Sequence, residues 1–483
     1  MSRTRTLAEF ARACGGQLRG ADAPFTDVVS DSRTLKPGQL FVALAGPNFN
    51  GRDFLPAARA AGAAGAVVDA PQAVALPQIV VADTQAALTR AARAWRAAFS
   101  GPLIGVAGSN GKTTAKEMTA TILSQAGACL ATRGNLNNHI GVPLTLLRLT
   151  SEHRFAVVEM GANHPGEVAA LVKLSSPSIG LITNAGAEHL EGFGSLESVA
   201  RAEGEMVAGL APTATAVINA DDAFAALWRG LTKARVVTFG VREPADFAAS
   251  EVRTELRAAG FRTSFRLHSP AGTVAVELAL GGAHNIANAL AAAAAAASAG
   301  ATLAQIVAGL AAVRAVPGRL QFKRARSGAW LIDDSYNANP SSVRAAIEVL
   351  ASLRGRRWLV LGDMAELGEF APEAHADIGE FARAAGIERL YATGALMERA
   401  VDSFGAGAQW FADAAALTQA LGRALEGRGA EVRILIKGSR FNRLERVVDA
   451  LTGGAGAMAD TECCTGSHNS SPAWSAASTS SRT

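Results

Sequence analysis

Residues Gly105 to Glu117, Gly-Val-Ala-Gly-Ser-Asn-Gly-Lys-Thr-Thr-Ala-Lys-Glu, constrain this chain more than any other stretch. Leu103, Ile104 and Val106 have the apolar make-up of the end of a buried strand, and a helix starts after Gly111. Gly108 and Gly111 let backbone N–H groups approach an anion, and the helix start offers the positive end of its dipole. Lys112 adds a point charge, and Thr113 carries a hydroxyl able to ligate Mg2+. This is equipment for holding a nucleoside triphosphate. The spacing departs from the strict G-x-x-x-x-G-K-[ST] pattern: Val106 stands where the first glycine belongs and Gly105 lies one residue early, which leaves G-x-x-G-K-T-T. The bland alternative is a glycine-rich turn whose Lys112 only faces solvent.

A chain of 483 residues exceeds one ordinary core and implies about three domains. Its 46 basic and 42 acidic residues leave a net charge of +4, small for this length. No Lys/Arg run with interleaved aromatics is present, so the partners expected are small anions and not nucleic acid. The four cysteines, Cys14, Cys129, Cys463 and Cys464, form neither a disulfide framework nor a C-x-x-C pair, and the eight histidines show no H-x-x-x-H spacing. A reducing cytoplasm fits that pattern. Leu7, Phe10, Ala11 and Cys14 recur at helical spacing, which marks an amphipathic helix and not a secretory signal. The alanine run Ala291 to Ala297 is too short and too weakly apolar to span a bilayer, so no membrane insertion is expected.

Punctuation divides the chain into residues 1–99, 100–315, 316–452 and a tail, 453–483. In the first segment, short apolar runs (Leu40 to Leu44, Ala66 to Val68, Ile79 to Val81) alternate with helical stretches such as Thr84 to Ala98. Ser100-Gly101-Pro102 forms a linker. Strands Phe155 to Val158 and Ile179 to Ile182 then continue the strand-helix alternation of a parallel sheet. Beyond Val236 the period changes to two. Phe261, Thr263, Phe265 and Leu267, then the turn Ser269 to Gly272, then Val274, Val276, Leu278 and Leu280 predict an antiparallel hairpin. Pro317-Gly318 opens another α/β segment with strands at Trp330 to Ile332, Trp358 to Leu361, Leu390 to Ala392 and Ile434 to Ile436. The Gly/Ala/Ser/Thr-rich tail is expected to be disordered.

Candidate chemistry gathers at strand ends. Glu159 and His189 follow strands beside the phosphate loop, where each can ligate a hard metal or serve as an ordinary turn residue. Leu196, Val199, Glu203, Met206 and Leu210 share one stripe, so Glu203 lies on an apolar face. A carboxylate there needs a partner such as Arg201 or Arg52, or a bound cation; both options stay open. Gly282 to Leu290 opens a helix with Asn285 and Asn288 able to contact a base. Asp333 to Ser342 and Lys437 to Arg440 are polar loops after strands, suited to a co-substrate or to turn and N-cap chemistry.

Together these strings resemble the Mur ligase family, in its D-alanyl-D-alanine-adding branch, from about Thr26 to Ala450. Asp31-Ser32-Arg33 with Gly38 to Leu44 is similar to the nucleotide-sugar-binding N-terminal domain. Gly134-Asn135-Leu136-Asn137-Asn138 with Ile140 to Pro143, and Thr183 through Leu190, are similar to the central domain. Tyr336-Asn337-Ala338-Asn339-Pro340, Leu361 to Gly368 and Lys437-Gly438-Ser439-Arg440 resemble this branch in particular. The resemblance implies an α/β fold of three domains: the first binding the UDP-sugar, a central parallel-sheet P-loop-type ATPase domain with an antiparallel insertion, and a Rossmann-like C-terminal domain for the amino substrate.

It also implies a cytoplasmic, monomeric ligase that uses ATP and Mg2+, with UDP-N-acetylmuramoyl-tripeptide and D-alanyl-D-alanine as substrates joined through an acyl phosphate. The implied ATP site is Gly108, Ser109, Asn110, Gly111, Lys112, Thr113, Thr114, Asn285, Asn288, Arg319, Asp334 and Tyr336. Metal ligands would be Thr113, Glu159 and His189, and catalytic residues Lys112, His189, Glu203 and Arg319. Ser32, Arg33, Asn135, Asn137, Asn138, Asn337, Asn339, Lys437, Ser439 and Arg440 would meet the other substrates. Glu203 stands where the family usually has a lysine that takes up CO2 to form a carbamate, and Asn50-Gly51-Arg52 where members usually read Asp-Gly-His. Folylpolyglutamate synthetase, and a nucleotide-binding protein without catalysis, are the rival readings.

Overall fold

The structure, a computed structural model, describes residues 5–46 and 49–453. The tail expectation falls on 454–483, outside the described residues. Among the described residues, Arg5–Ala87 belongs to one compact unit and residues 88–453 to a second.

In the first unit the helix Leu7–Cys14 starts with a capping box: the Thr6 hydroxyl accepts from the Glu9 N–H, and the Glu9 carboxylate accepts from the Thr6 N–H. The helix buries the expected stripe of Leu7, Phe10, Ala11 and Cys14. Five strands follow in spatial order Gln17–Arg19, Gln78–Val80, Gly65–Val68, Leu40–Val42 and Val28–Val29; the first pair is antiparallel and the rest are parallel. Asn50 caps the short 3-10 helix Gly51–Phe54 by accepting from the Arg52 N–H at 3.1 Å.

The second unit carries two sheets. The larger has nine strands, ordered Cys129–Ala131, Phe155–Glu159, Leu103–Ala107, Ile179–Ile182, Thr215–Asn219, Arg235–Gly240, Phe247–Arg257, Gly260–Ser269 and Gly272–Leu278. All neighbours up to Phe247–Arg257 run parallel, and the last two pairings are antiparallel. Ser269 faces Gly272 and Phe265 faces Val276, which is the hairpin that the period-two pattern predicts. The strand Phe247–Arg257 adds a third antiparallel member that the sequence conceals. Its outer half is exposed on both faces, and its register shifts between Ser250 and Arg253, so no period survives.

Alternation along Leu103–Ala107 decides what each face receives. Ile104 and Val106 pack with Met118 and Ile122 of the helix Lys112–Ser124, whereas a side chain at Gly105 would meet Met206 of the helix Leu196–Ala208. Helices therefore cover both faces, as a parallel sheet requires. The helix Ala283–Ser298 lies beside Lys112–Ser124 and across the strands Ile179–Ile182 to Phe247–Arg257. Ala291 to Ala296 are all fully buried, so the alanine run is a core helix whose small side chains permit close approach on every side. Among the described residues no helix is long and apolar enough to cross a membrane.

The smaller sheet has six strands: Gln321–Arg324, Trp330–Asp334, Val432–Lys437, Arg356–Gly362, Arg389–Thr393 and Ala408–Phe411. Only the first pair is antiparallel. Val432–Lys437, last in the chain, lies in the middle and sets Lys437 beside Asp334.

Because the alanine helix is enclosed all round, Ala293→Leu has no space for three added carbons. It is expected to cost about 1–3 kcal/mol, read as a fall in the melting temperature of the lowest unfolding transition.

Candidate active site

The strand Leu103–Ala107 delivers the glycine loop to the carboxyl edge of the nine-stranded sheet. Gly108 and Gly111 have φ of 121° and 83°, the region that side chains avoid. A Cβ on Gly108 would collide with Thr183 Oγ1, and one on Gly111 with Asn288 Oδ1. The next strand end clamps the loop: the Ser109 N–H donates to Asn184 O at 2.9 Å, the Asn110 N–H to Asn184 Oδ1 at 3.0 Å, and Thr183 Oγ1 donates to Asn110 O at 2.7 Å.

Lys112 does not face solvent. Its ammonium turns back to Gly108 O at 2.5 Å and Ser109 O at 3.1 Å and pairs with Glu188 Oε1 at 3.0 Å. Burial works against its charge, but Glu188, Glu203 and Glu159 outweigh that cost and raise its pKa. Glu188 was not among the expected residues; a carboxylate immediately before His189 was the signal available.

Glu203 lies where the helical stripe places it, but without the arginine partner named for it. Val199, Glu203 and Met206 are buried on the helix Leu196–Ala208, while Leu196 is exposed and Leu210 is buried beyond the helix end. Neither arginine is the partner of Glu203: Arg201 pairs with Glu197 at 2.7 Å on the exposed face, and Arg52 pairs with Asp69 at 3.3 Å in the other unit. Glu203, 6% exposed, instead accepts the Gly108 N–H at 2.6 Å. Burial pushes its pKa up to about 7, with Lys112 pulling the other way.

Glu159, at the end of its strand, accepts from Asn137 Nδ2 at 3.0 Å through Oε1. Its Oε2 is buried and has no hydrogen-bond donor among the described residues. The ammonium of Lys116 lies 3.7 Å from that oxygen and donates to Thr132 O at 2.8 Å and Gly134 O at 3.2 Å. Lys116 is fully buried, and sequence reasoning passed over it although it sits one helical turn after Lys112. Among the described residues no three His, Cys, Asp or Glu side chains form a group that would hold a metal unaided.

The six-stranded sheet meets this edge through polar contacts. Asn339 caps the helix Pro340–Ala351 and donates to Asn110 Oδ1 at 2.8 Å and Glu188 Oε2 at 3.2 Å. Asn110 Nδ2 donates to Ser341 Oγ at 3.0 Å. Arg319 donates to Thr113 Oγ1 at 3.0 Å, and its guanidinium lies 4.4 Å from the Tyr336 ring centre. His189, in a left-handed conformation at φ 52°, pairs with Glu366 through Nδ1. Burial opposes its charge, yet Glu366 and Glu188 prevail and raise its pKa.

Other expected residues are placed as follows. Asn285 and Asn288 are bonded to each other at 3.3 Å and line a cleft of about 490 Å³ with Asn110, Gly111, Thr114, Arg319 and Asp334. Thr113, Asn135, Tyr336 and Arg440 line a neighbouring hollow of about 350 Å³. Asp334 pairs with Lys437 at 2.7 Å, and Lys437 also donates to Asn337 O at 2.8 Å. Ser439 Oγ donates to Ala338 O, Asn138 Oδ1 accepts the Gly141 N–H, and Arg440 lies 3.6 Å from Glu445. Ser32 and Arg33 belong to the first unit, where Arg33 pairs with Asp31 at 2.7 Å. A glycine loop with a buried lysine and a polar cleft beside it are thus built from two sheets of one compact unit.

Three family models match: the Mur ligase family catalytic domain over residues 24–96, the Mur ligase middle domain over 106–296, and the Mur ligase glutamate ligase domain over 318–440. The UDP-N-acetylmuramoyl-tripeptide--D-alanyl-D-alanine ligase of Escherichia coli (strain K12) is 46% identical over 448 residues, 92% of this chain and 98% of the relative. A crystal structure of MurF from Acinetobacter baumannii superposes with a TM-score of 0.86 at 34% identity, covering 94% of this chain and 99% of that one. MurF ligase from Thermotoga maritima in complex with ADP gives 0.75 at 26% identity over 89% and 97%.

The raised pKa of Glu203 has a thermodynamic consequence. A carboxyl whose folded pKa lies above its unfolded value favours the native state below the unfolded value and loses that contribution as pH rises through the folded one, here between about pH 4.5 and 7. Glu203→Gln keeps an acceptor for the Gly108 N–H without a charge. In nucleotide-free protein it is expected to flatten the decline in stability across that window, measured by denaturant unfolding at successive pH values against the parent.

Proposed function

Because this chain belongs to the Mur ligase family, we propose that it is the ATP-dependent ligase joining D-alanyl-D-alanine to UDP-N-acetylmuramoyl-tripeptide, yielding the pentapeptide precursor of peptidoglycan. The observation that carries the reading is the meeting of the phosphate loop with residues 339–341, Asn110 being bonded to both Asn339 and Ser341. An ATP cradle and the amino-substrate loops of a second α/β domain thereby share one place. We place the enzyme in the cytoplasm, where ATP is available.

The terminal carboxylate of the tripeptide attacks the γ phosphorus of ATP, ADP leaves, and an acyl phosphate forms. The amine of D-alanyl-D-alanine then attacks the acyl carbon, and the tetrahedral adduct expels phosphate as the amide forms. Phosphoryl transfer needs chiefly positioning and neutralised charge. Lys112 supplies a fixed positive charge to the β and γ phosphates, and Arg319, already fixed on Thr113 and Tyr336, supplies a second. Asn285 and Asn288 would face the base and Asp334 the ribose in the larger cleft, with Tyr336 meeting the ribose side from the neighbouring hollow. Seating of the C-terminal domain keeps water from a hydrolysable acyl phosphate.

Mg2+ fits the buried Oε2 of Glu159, which no hydrogen-bond donor reaches among the described residues and which a hard cation would take from Lys116, with the Thr113 hydroxyl beside the phosphates. His189 would hold a second ion on giving up its proton and its Glu366 partner. Bound Mg2+ would neutralise phosphate charge. Glu203 would stand in for the carboxylate of a carbamylated lysine, an anion that needs no CO2 and forms as pH rises through its raised pKa of about 7.

Phosphate release from ATP on adding both substrates tests the reading, and its absence overturns it. Lys112→Ala is expected to lower turnover at least about a hundredfold with the fold intact. For Glu203, parent turnover should be the same in CO2-depleted and bicarbonate-supplemented buffer, while Glu203→Ala loses about two orders of magnitude. Glu203→Lys should recover activity only with bicarbonate; an alanine variant as active as the parent removes Glu203 from the machinery.

A further inference from the structure

Glu188 has no part in the reaction as described, yet it is the counter-charge of the phosphate-loop lysine. An ammonium has three donors. In Lys112 two are spent on Gly108 O and Ser109 O, and the third points to Glu188 Oε1 at 3.0 Å. Both side chains are only 13% exposed, so water does not screen the pair freely. The other oxygen, Oε2, accepts from Asn339 Nδ2 at 3.2 Å, and Asn339 is itself held to the phosphate loop through Asn110. His189 Nε2 lies 3.7 Å from Oε1.

We infer that Glu188 is a positioning residue that stands in for phosphate: in the nucleotide-free enzyme its carboxylate occupies the one free donor of Lys112, and the nucleotide's β or γ phosphate must displace it to bind. The inference rests on the ATP reading above. Its consequence is a sign that a merely structural residue would not produce. Removing an interaction normally weakens a ligand, whereas removing a competing anion strengthens it. Displacement also frees Oε2 from Asn339, so phosphate arrival loosens one of the bonds between the phosphate loop and the helix Pro340–Ala351.

The test is calorimetric titration of the full chain with ADP in magnesium-free buffer containing EDTA, with AMP, which lacks a β phosphate, as the control. Glu188→Gln keeps an acceptor for Asn339 but removes the charge, and is expected to bind ADP at least about fivefold more tightly than the parent, with AMP affinity unchanged. Glu188→Ala, a second variant lacking both oxygens, should shift ADP binding in the same direction. Unchanged or weaker ADP binding in both variants overturns the inference, as does equal tightening for AMP. A parent chain that binds neither nucleotide, and still binds no ADP when Mg2+ is restored, overturns the ATP reading and this inference with it.

Discussion

Lys112 brings an ammonium to a place where little water reaches it, and most of the site's architecture follows from keeping that charge. A buried cation needs hydrogen-bond acceptors and counter-charge or it loses its proton. The phosphate loop supplies two carbonyls, the turn after Ile179–Ile182 supplies Glu188, and the helix Leu196–Ala208 and the strand Phe155–Glu159 bring Glu203 and Glu159 within electrostatic reach. Each carboxylate carries a further demand. Glu203 takes the Gly108 N–H, Glu188 takes Asn339, and Glu159 relies on Asn137 and the buried Lys116. The strand ends, the loop and the C-terminal domain are locked into one charge balance.

Two joints of different character connect the sheets of the larger unit. One is apolar: Phe261, from the antiparallel extension of the nine-stranded sheet, is buried in the core of the C-terminal domain, with Leu256 packed against it. The other is polar, made of Asn110 with Asn339 and Ser341, Arg319 with Thr113, and His189 with Glu366. Exposing packed apolar surface costs free energy in proportion to area, whereas polar partners can exchange each other for water or substrate at small net cost. Lys112, Arg319 and His189 sit at the polar joint, not at the apolar one.

Much of this was legible along the chain. Gly-Ser-Asn-Gly-Lys-Thr-Thr announced a strand, a glycine turn and a helix; the four-residue stripe of Leu7 to Cys14 announced a helix; and the alternation around Ser269 to Gly272 announced a hairpin. These are local signals, written within one turn or one pleat. The strand Phe247–Arg257 left no such trace, because a bulge breaks its period and solvent wets both of its faces. Cys129–Ala131 is too short to carry a period.

What the sequence determined by itself is therefore those elements that carry a local period, and the glycine turn joining a strand to a helix, since backbone geometry and side-chain period act between neighbours in the chain. Which charges meet was decided only by the tertiary structure. Glu203 reaches Gly108 across 95 residues and Asn339 reaches Asn110 across 229, and the arginine close to Glu203 in sequence turned to solvent instead. A side chain's partner depends on how sheets and helices stack, and electrostatic energy depends on distance and burial in space, which no spacing along the chain records.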